Sequence, residues 1–247
     1  MARSCPLPHS AGRPLCLNLS LCRRLRQPKP NKNTKECNLN VLLLNGSPRK
    51  SGCTYTALSE VGKALNESGV STTFFHIGTD PVRGCIACRG CKKTGYCAFD
   101  DDGANACIDS IKQADGVVIG TPVYYASANG ALCALLDRVF FSAGGSFRGK
   151  PAAAIASCRR GGAGSAFDRL NKYFTISEMP LVSSQYWNAV HGNTPEEVGQ
   201  DLEGLQIMRT LGRNMAWLLS GIKNAAPLPE REPRVATNFI RTLVPPA

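Results

Sequence analysis

Long apolar runs are missing from these 247 residues. None approaches the ~20 residues that cross a bilayer, so no membrane-spanning helix is expected. Histidine is scarce: His9, His76 and His191 lie far apart, and no His–carboxylate constellation for general acid–base work can be assembled. Acids are absent before Glu36. The first glycine-containing loop, GSPRKSGCT, is neither G-x-x-x-x-G-K-[ST] nor G-x-G-x-x-G, which argues against ATP hydrolysis and against a Rossmann dinucleotide site.

What is present is a chain with 43% apolar residues, long enough for one domain that buries roughly three quarters of its unfolded surface. The net charge of +11 is uneven, because residues 1–36 hold eight Lys/Arg and one acid and so carry +7 of it. The basicity therefore belongs to that segment, and nucleic-acid binding by the remainder is not expected. Residues 1–37 lack periodicity and read as a basic, disordered extension. Their lack of acids resembles a transit peptide, but the stretch LCLNLSLC is short, interrupted by polar residues and followed by its basic cluster, unlike a secretory signal. The cytoplasm is the expected compartment, and there twelve cysteines do not read as six disulfides. Cys107 and Cys133 fall in apolar helical stretches and read as core residues; those at 5, 16, 22 and 37 lie in or beside the tail.

From residue 38 onward strand and helix patterns alternate. Apolar runs at 38–45, 71–77, 116–125, 151–158 and 180–187 predict five strands. Helical spacing predicts helices over 54–68, from Asp100-Asp101-Asp102 to about Gln113, and over 129–141, 165–174 and 194–222. Thr194 and Glu197 form a capping-box pair for the last of these. Residues 224–247 are Pro-rich and expected to run extended over the surface. The expected architecture is α/β, an open parallel sheet with helices on both faces. Such sheets bind ligands beyond the carboxyl ends of their strands. The loops after strands one to four are GSPRKSGC, a cysteine-rich loop at 84–103, TPVYYASA and CRRGGAG, and all four are expected at that edge.

GSPRKSGCT offers the hydroxyls of Ser47, Ser51 and Thr54, the Arg49 fork, and the free N–H groups of a helix start, which suit a phosphate monoester. In TPVYY, the backbone from Thr121 to Tyr125 can meet the edge of a flat heteroaromatic ring, and Tyr124 or Tyr125 its face. Arg159 and Arg160 of SCRRGGAG offer a third wall, or simply solvated charge. His191, with Trp187 and Asn188, falls in a loop that either approaches the same site or is merely solvated.

GSPRKSGCT after a first strand, TPVYY after the third and LLDR in the next helix together resemble the flavodoxin-like NADPH-dependent FMN reductase family. CIACRGCKKTGYCAFDDD is similar to the loop of its iron–sulfur flavoprotein subgroup. The likeness covers residues ~39–223, roughly three quarters of the chain. It implies a flavodoxin-like three-layer sandwich whose five-stranded parallel sheet has the order 2-1-3-4-5. It also implies FMN, with Ser47, Arg49, Ser51, Cys53 and Thr54 around the phosphate, and Pro122, Val123, Tyr124 and Tyr125 with Ser157, Arg159, Gly161 and Gly162 around the ring. Cys53 stands where relatives often have Asn, leaving its backbone N–H for the phosphate. Homodimers or homotetramers, and NAD(P)H as a donor, are implied likewise.

Cys85, Cys88, Cys91 and Cys97 fall within thirteen residues. Three at i, i+3, i+6 with one nearby resemble the C-x₂-C-x₂-C…C arrangement of a [4Fe–4S] cluster, and the resemblance implies the same four ligands. Zinc, spare thiols and a disulfide staple remain the alternatives. The expected function is an FMN-dependent oxidoreductase or electron-transfer flavoprotein, with a cluster beside the flavin and a small-molecule or protein redox partner. A cluster-free NAD(P)H-dependent FMN or quinone reductase, or a non-enzymatic carrier, is the alternative. No side-chain base is required, because the flavin carries the chemistry.

Overall fold

The computed structural model describes residues 39–233 and Val235; the expectations for residues 1–37 and for 236–247 lie outside them. Four long strands follow the apolar runs: β1 (Asn40–Asn45), β2 (Ser71–His76), β3 (Gly116–Tyr124) and, after a two-residue β4 (Ser127–Ala128), β5 (Ala152–Cys158). With β6 (Ala189–His191) they form a sheet of order β2-β1-β3-β5-β6, parallel throughout, and β4 folds back antiparallel on β3. This is the expected 2-1-3-4-5 order, with the three-residue β6 as its fifth strand and one small hairpin added.

The central strands are apolar on both faces, and the packing shows why. Leu42, Leu44, Val117, Ile119 and Ala154 face α3 (Ala104–Gln113), α4 (Gly130–Ala143) and α5 (Ala163–Ile176). Val41, Leu43, Val118 and Ile155 face α1 (Cys53–Glu67) and α7 (Leu202–Lys223). A period-two strand buried on both sides has no solvent face to mark with polar residues. The result is a three-layer sandwich.

Two expectations fail at the far edge. Residues 180–187 do not form the fifth strand; they contribute one bridge, Leu181 to Ala152, and the strand is Ala189–His191. The Ser184 hydroxyl lies 2.6 Å from the Tyr186 carbonyl and accepts the Tyr186 N–H at 3.4 Å, a local turn that replaces ladder hydrogen bonds. The closing helix is also split, into α6 (Pro195–Val198) and α7. Thr194 caps α6 by accepting the Glu197 N–H, while Glu197 accepts from Asn193 at 2.6 Å instead of from Thr194. Asp201 starts α7 afresh, accepting the Gly204 N–H at 2.9 Å and the His191 N–H at 2.7 Å. Of the three aspartates before α3, Asp102 alone accepts a first-turn amide, that of Ala104 at 3.1 Å; Asp100 accepts from the Asn105 side chain at 3.1 Å. α2 (Cys91–Thr94) is one turn within the cysteine loop.

After α7 the chain to Glu232 has no regular structure. It is pinned to the surface where Arg148 donates to the Pro229 carbonyl at 2.7 Å and Arg231 pairs with Glu178 at 2.6 Å. Among the described residues no helix is long and apolar enough to cross a membrane.

Candidate functional site: a phosphate loop, a ring cradle and a ring of cysteines

The loop after β1 is held from below. Asn45 reaches forward with its amide to the Lys50 carbonyl at 3.2 Å and accepts the Ser47 N–H at 3.1 Å; Ser47 Oγ then accepts the Arg49 N–H at 3.1 Å. Gly46 is required by packing, since a Cβ there would lie 2.4 Å from Leu132 and 2.8 Å from the Gly120 carbonyl. The loop delivers the chain to α1, whose N-cap Gly52 supplies no side-chain hydrogen bond and whose first turn holds no acid. Its first N–H groups and the positive end of its dipole thus open onto a loop of hydroxyls, with Arg49 and Ser51 exposed. That donor set fits a phosphate monoester.

Buried side chains stitch this loop to the other two. Asn129, 6% exposed, donates to the Gly46 carbonyl at 2.9 Å and caps α4 by accepting the Ala131 N–H at 2.9 Å. Its own amide donates to Thr121 Oγ1 at 3.0 Å. Thr54 and Ser157, assigned from sequence to phosphate and ring respectively, hydrogen-bond each other at 2.8 Å. Both are buried, so they tie α1 to the end of β5. Cys53 turns away from the loop, its thiol 3.8 Å from the Gly192 carbonyl, and burial raises its pKa. His76 meets the Ser47 carbonyl through Nε2 at 2.8 Å. Asn129 and His76 had no sequence signal beyond their residue type, because their partners, Gly46 and Ser47, are 83 and 29 residues away.

The TPVYY segment opens a tight hairpin. Tyr125 and Ala126, at φ 48° and 57°, form its two-residue turn, the twist such hairpins favour, here without glycine. Gly162, at φ +87°, packs on it so closely that a Cβ would lie 2.6 Å from Ala126 Cα and 2.9 Å from Val123. The loops carrying Pro122–Tyr125 and Ser157–Gly162 therefore touch. Tyr125 is fully exposed and Tyr124 nearly half so, leaving their rings free to cover a flat ligand. Arg159 and Gly161 are exposed on the opposite loop. Beside it, a cavity of about 380 Å³ is lined by Arg160, Gly162, Trp187, Asn188 and His191 among others. The structure therefore brings Trp187, Asn188 and His191 beside the Gly162 loop that packs on the TPVYY hairpin.

The cysteine loop leaves the edge where it was expected. Cys85, Cys88, Cys91 and Cys97 line one small cavity together with Arg138, Phe141 and Ser142 of α4. Arg138 lies nine residues beyond Asn129, about 13 Å along the helix from the phosphate loop. Three loops converge at the carboxyl edge; the fourth runs down the outside of α4. Cys91 is buried, Cys97 half-buried, and Cys85 and Cys88 exposed. All eight described cysteines are free, so no disulfide staple forms. Cys107, fully buried, is pushed up to about 12 by burial, and Cys133 packs against the core, as their apolar settings predict.

The loop is strained. Ala87 and Arg89 hold φ values of 54° and 60° between the cysteines, each costing ~1–2 kcal/mol for a residue with a Cβ. Left-handed residues of this kind turn successive backbone N–H groups inward, as in many iron–sulfur sites. Among the described residues, no three His, Cys, Asp or Glu side chains are grouped closely enough to hold a single metal ion. Four thiols lining one shared cavity are the donor set that a thiolate-bound cluster would take.

An open parallel sheet of this order, with its loaded loops at the carboxyl edge, is a flavodoxin-like α/β fold. Residues 39–194 match the family described as NADPH-dependent FMN reductase, and the chain belongs to that family. It is 31% identical over 193 residues to an iron–sulfur flavoprotein of Methanocaldococcus jannaschii, a match covering 75% of this chain and 100% of the relative. Among solved structures it resembles RosB, determined with bound 8-demethyl-8-formylriboflavin-5'-phosphate, at TM-score 0.61 and 15% identity over 83% of this chain and 97% of that one. It also resembles a WrbA-like flavodoxin from Agrobacterium tumefaciens, at TM-score 0.52 and 15% identity over 74% of this chain and 98% of that one. The protein is accordingly a flavin-dependent oxidoreductase that uses FMN.

Proposed function

We propose that this flavoprotein passes electrons between a reduced donor and a small-molecule or protein acceptor, using FMN at the carboxyl edge and a [4Fe–4S] cluster in the cysteine cavity. The observation that carries the two-centre reading is the shared lining of one cavity by Cys85, Cys88, Cys91 and Cys97. When bound, FMN exchanges electrons in pairs or singly and a cluster exchanges them singly, so the protein's work is position and electrostatics.

The chain's own residues divide that work. Ser47, Ser51, Arg49 and the N–H groups of Cys53 and Thr54 receive the FMN phosphate. Thr54 acts through its amide, because its hydroxyl is committed to Ser157. Pro122, Val123, Tyr124 and Tyr125 hold one side of the ring, and Ser157, Arg159, Gly161 and Gly162 the other. Lys92 and Lys93, exposed on α2, offset the negative charge of a thiolate-ligated cluster. NADPH is the donor that the family description suggests, and exposed Tyr124 and Tyr125 give a homodimer an apolar contact beside the ring. We place the protein in the cytoplasm.

Replacing Cys91 separates the two centres. Cys91→Ser, purified without oxygen, is expected to lose iron and keep its FMN. Reduction of a one-electron acceptor should fall at least ~10-fold relative to a two-electron quinone. Equal losses with both acceptors, or an unchanged ratio, would contradict the two-centre reading.

A further inference from the structure

Arg138 is the largest fully buried side chain among the described residues, 1% exposed, at the end of the LLDR stretch of α4. A guanidinium in that position must find acceptors for its donors, and all of those it finds lie in the segment from Arg83 to Asp102 that carries the four cysteines. Nε donates to Cys97 Sγ at 3.2 Å, Nη2 to the Phe99 carbonyl at 2.9 Å, and Nη1 to the Arg83 carbonyl at 3.4 Å and to the carboxylate of Asp102. One side chain thus fastens both ends of the 83–102 segment to α4. The same side chain lines the cavity shared by the four cysteines.

We infer that Arg138 is the positioning residue of the cysteine loop, fixing the Cys97 sulfur at the cavity and favouring the reduced state of the cluster bound there. This rests on the reading of Cys85, Cys88, Cys91 and Cys97 as cluster ligands. The electrostatics follow from where the charge goes. One-electron reduction adds a negative charge to the cluster and breaks no bond to the protein. A buried cation hydrogen-bonded to a ligand sulfur stabilises the extra charge more than it stabilises the oxidised state. Asp102, the ion-pair partner of Arg138, lies on the loop's far end and moderates the effect without cancelling it, because the sulfur receives its own N–H. The other cationic groups of the segment, Arg83, Arg89, Lys92 and Lys93, are exposed to solvent, where their fields are screened.

The test is Arg138→Gln, with the full chain purified without oxygen. Amide hydrogen exchange, followed by mass spectrometry, reads the clamp, and a potentiometric titration with dithionite as reductant reads the charge. Residues 83–102 are expected to exchange at least ~10-fold faster while the sheet is unchanged. The cluster's reduced-to-oxidised ratio at fixed potential should fall at least ~10-fold, a midpoint lowered by ~59 mV for one electron, with the flavin midpoint unmoved. Arg138→Lys keeps the charge without the planar fork and covers the case in which the glutamine variant loses its cluster. It should show the faster exchange with a midpoint closer to that of the parent. Unchanged exchange in both variants would overturn the clamp, and an unchanged cluster midpoint in a folded, loaded Arg138→Gln protein would overturn the electrostatic role. If the parent protein holds no iron, the cluster reading fails along with that electrostatic role. The exchange result then decides the positioning role by itself.

Discussion

Gly162 holds a position that no other residue fits. Its φ of +87° is one a side chain resists, and the space where a Cβ would go is occupied by the backbone of Ala126. Gly162→Ala must therefore push the TPVYY hairpin away from the CRRGGAG loop, at a cost of ~1–3 kcal/mol. We expect a lower denaturation midpoint in urea together with weaker FMN binding, measured by quenching of flavin fluorescence. Undiminished FMN affinity would show that these two loops do not hold the ring. The sequence showed Gly162 as one of a glycine pair without revealing which of the two touches the hairpin. In the structure Gly162 packs on Ala126, and a Cβ on Gly161 would meet open space. Asn129 and Arg138 were less legible still. A buried Asn or Arg looks like any other in a helix until the segment it serves, tens of residues away, is folded against it.

At the scale of elements, the strands buried on both faces and the amphipathic helices were readable because burial writes itself into spacing. The edge was not. Residues 180–187 carry enough apolar side chains for a strand, but Ser184 satisfies backbone groups locally, and the sheet takes the three residues that follow. The long closing helix broke for a related reason: Asp201 accepts amides from both β6 and α7, a tertiary tie that no periodicity announces. The join of the cysteine loop to α4 makes a pH prediction. Burial alone would raise the Asp102 carboxyl, but the Arg138 hydrogen bond and the Ala104 amide outweigh it and hold the carboxyl below its usual value. A depressed carboxylate contributes stability fully above its unfolded pKa and loses it as pH falls through the folded value. Asp102→Asn should therefore be less stable than the parent at neutral pH, with the gap closing below about pH 4. Urea titrations across pH 2–7 would check this, and a gap that persisted to the lowest pH would contradict it.

For the molecule as a whole, fold and site were legible to different depths. The parallel sheet followed from alternation and its strand order from the family resemblance, and the loops GSPRKSGCT, TPVYY and CRRGGAG meet at the carboxyl edge as such sheets require. The four cysteines were equally visible as a group, but their place was not. Spacing groups the four cysteines, whereas packing on α4 says where in the fold the cavity they line lies. The decisive measurement is the absorption spectrum of protein purified without oxygen, with FMN, iron and acid-labile sulfide assayed on the same sample. About one FMN, four irons and four sulfides per chain are expected. Flavin without iron or sulfide would contradict the two-centre account and leave a single-centre flavin reductase with a structural cysteine loop.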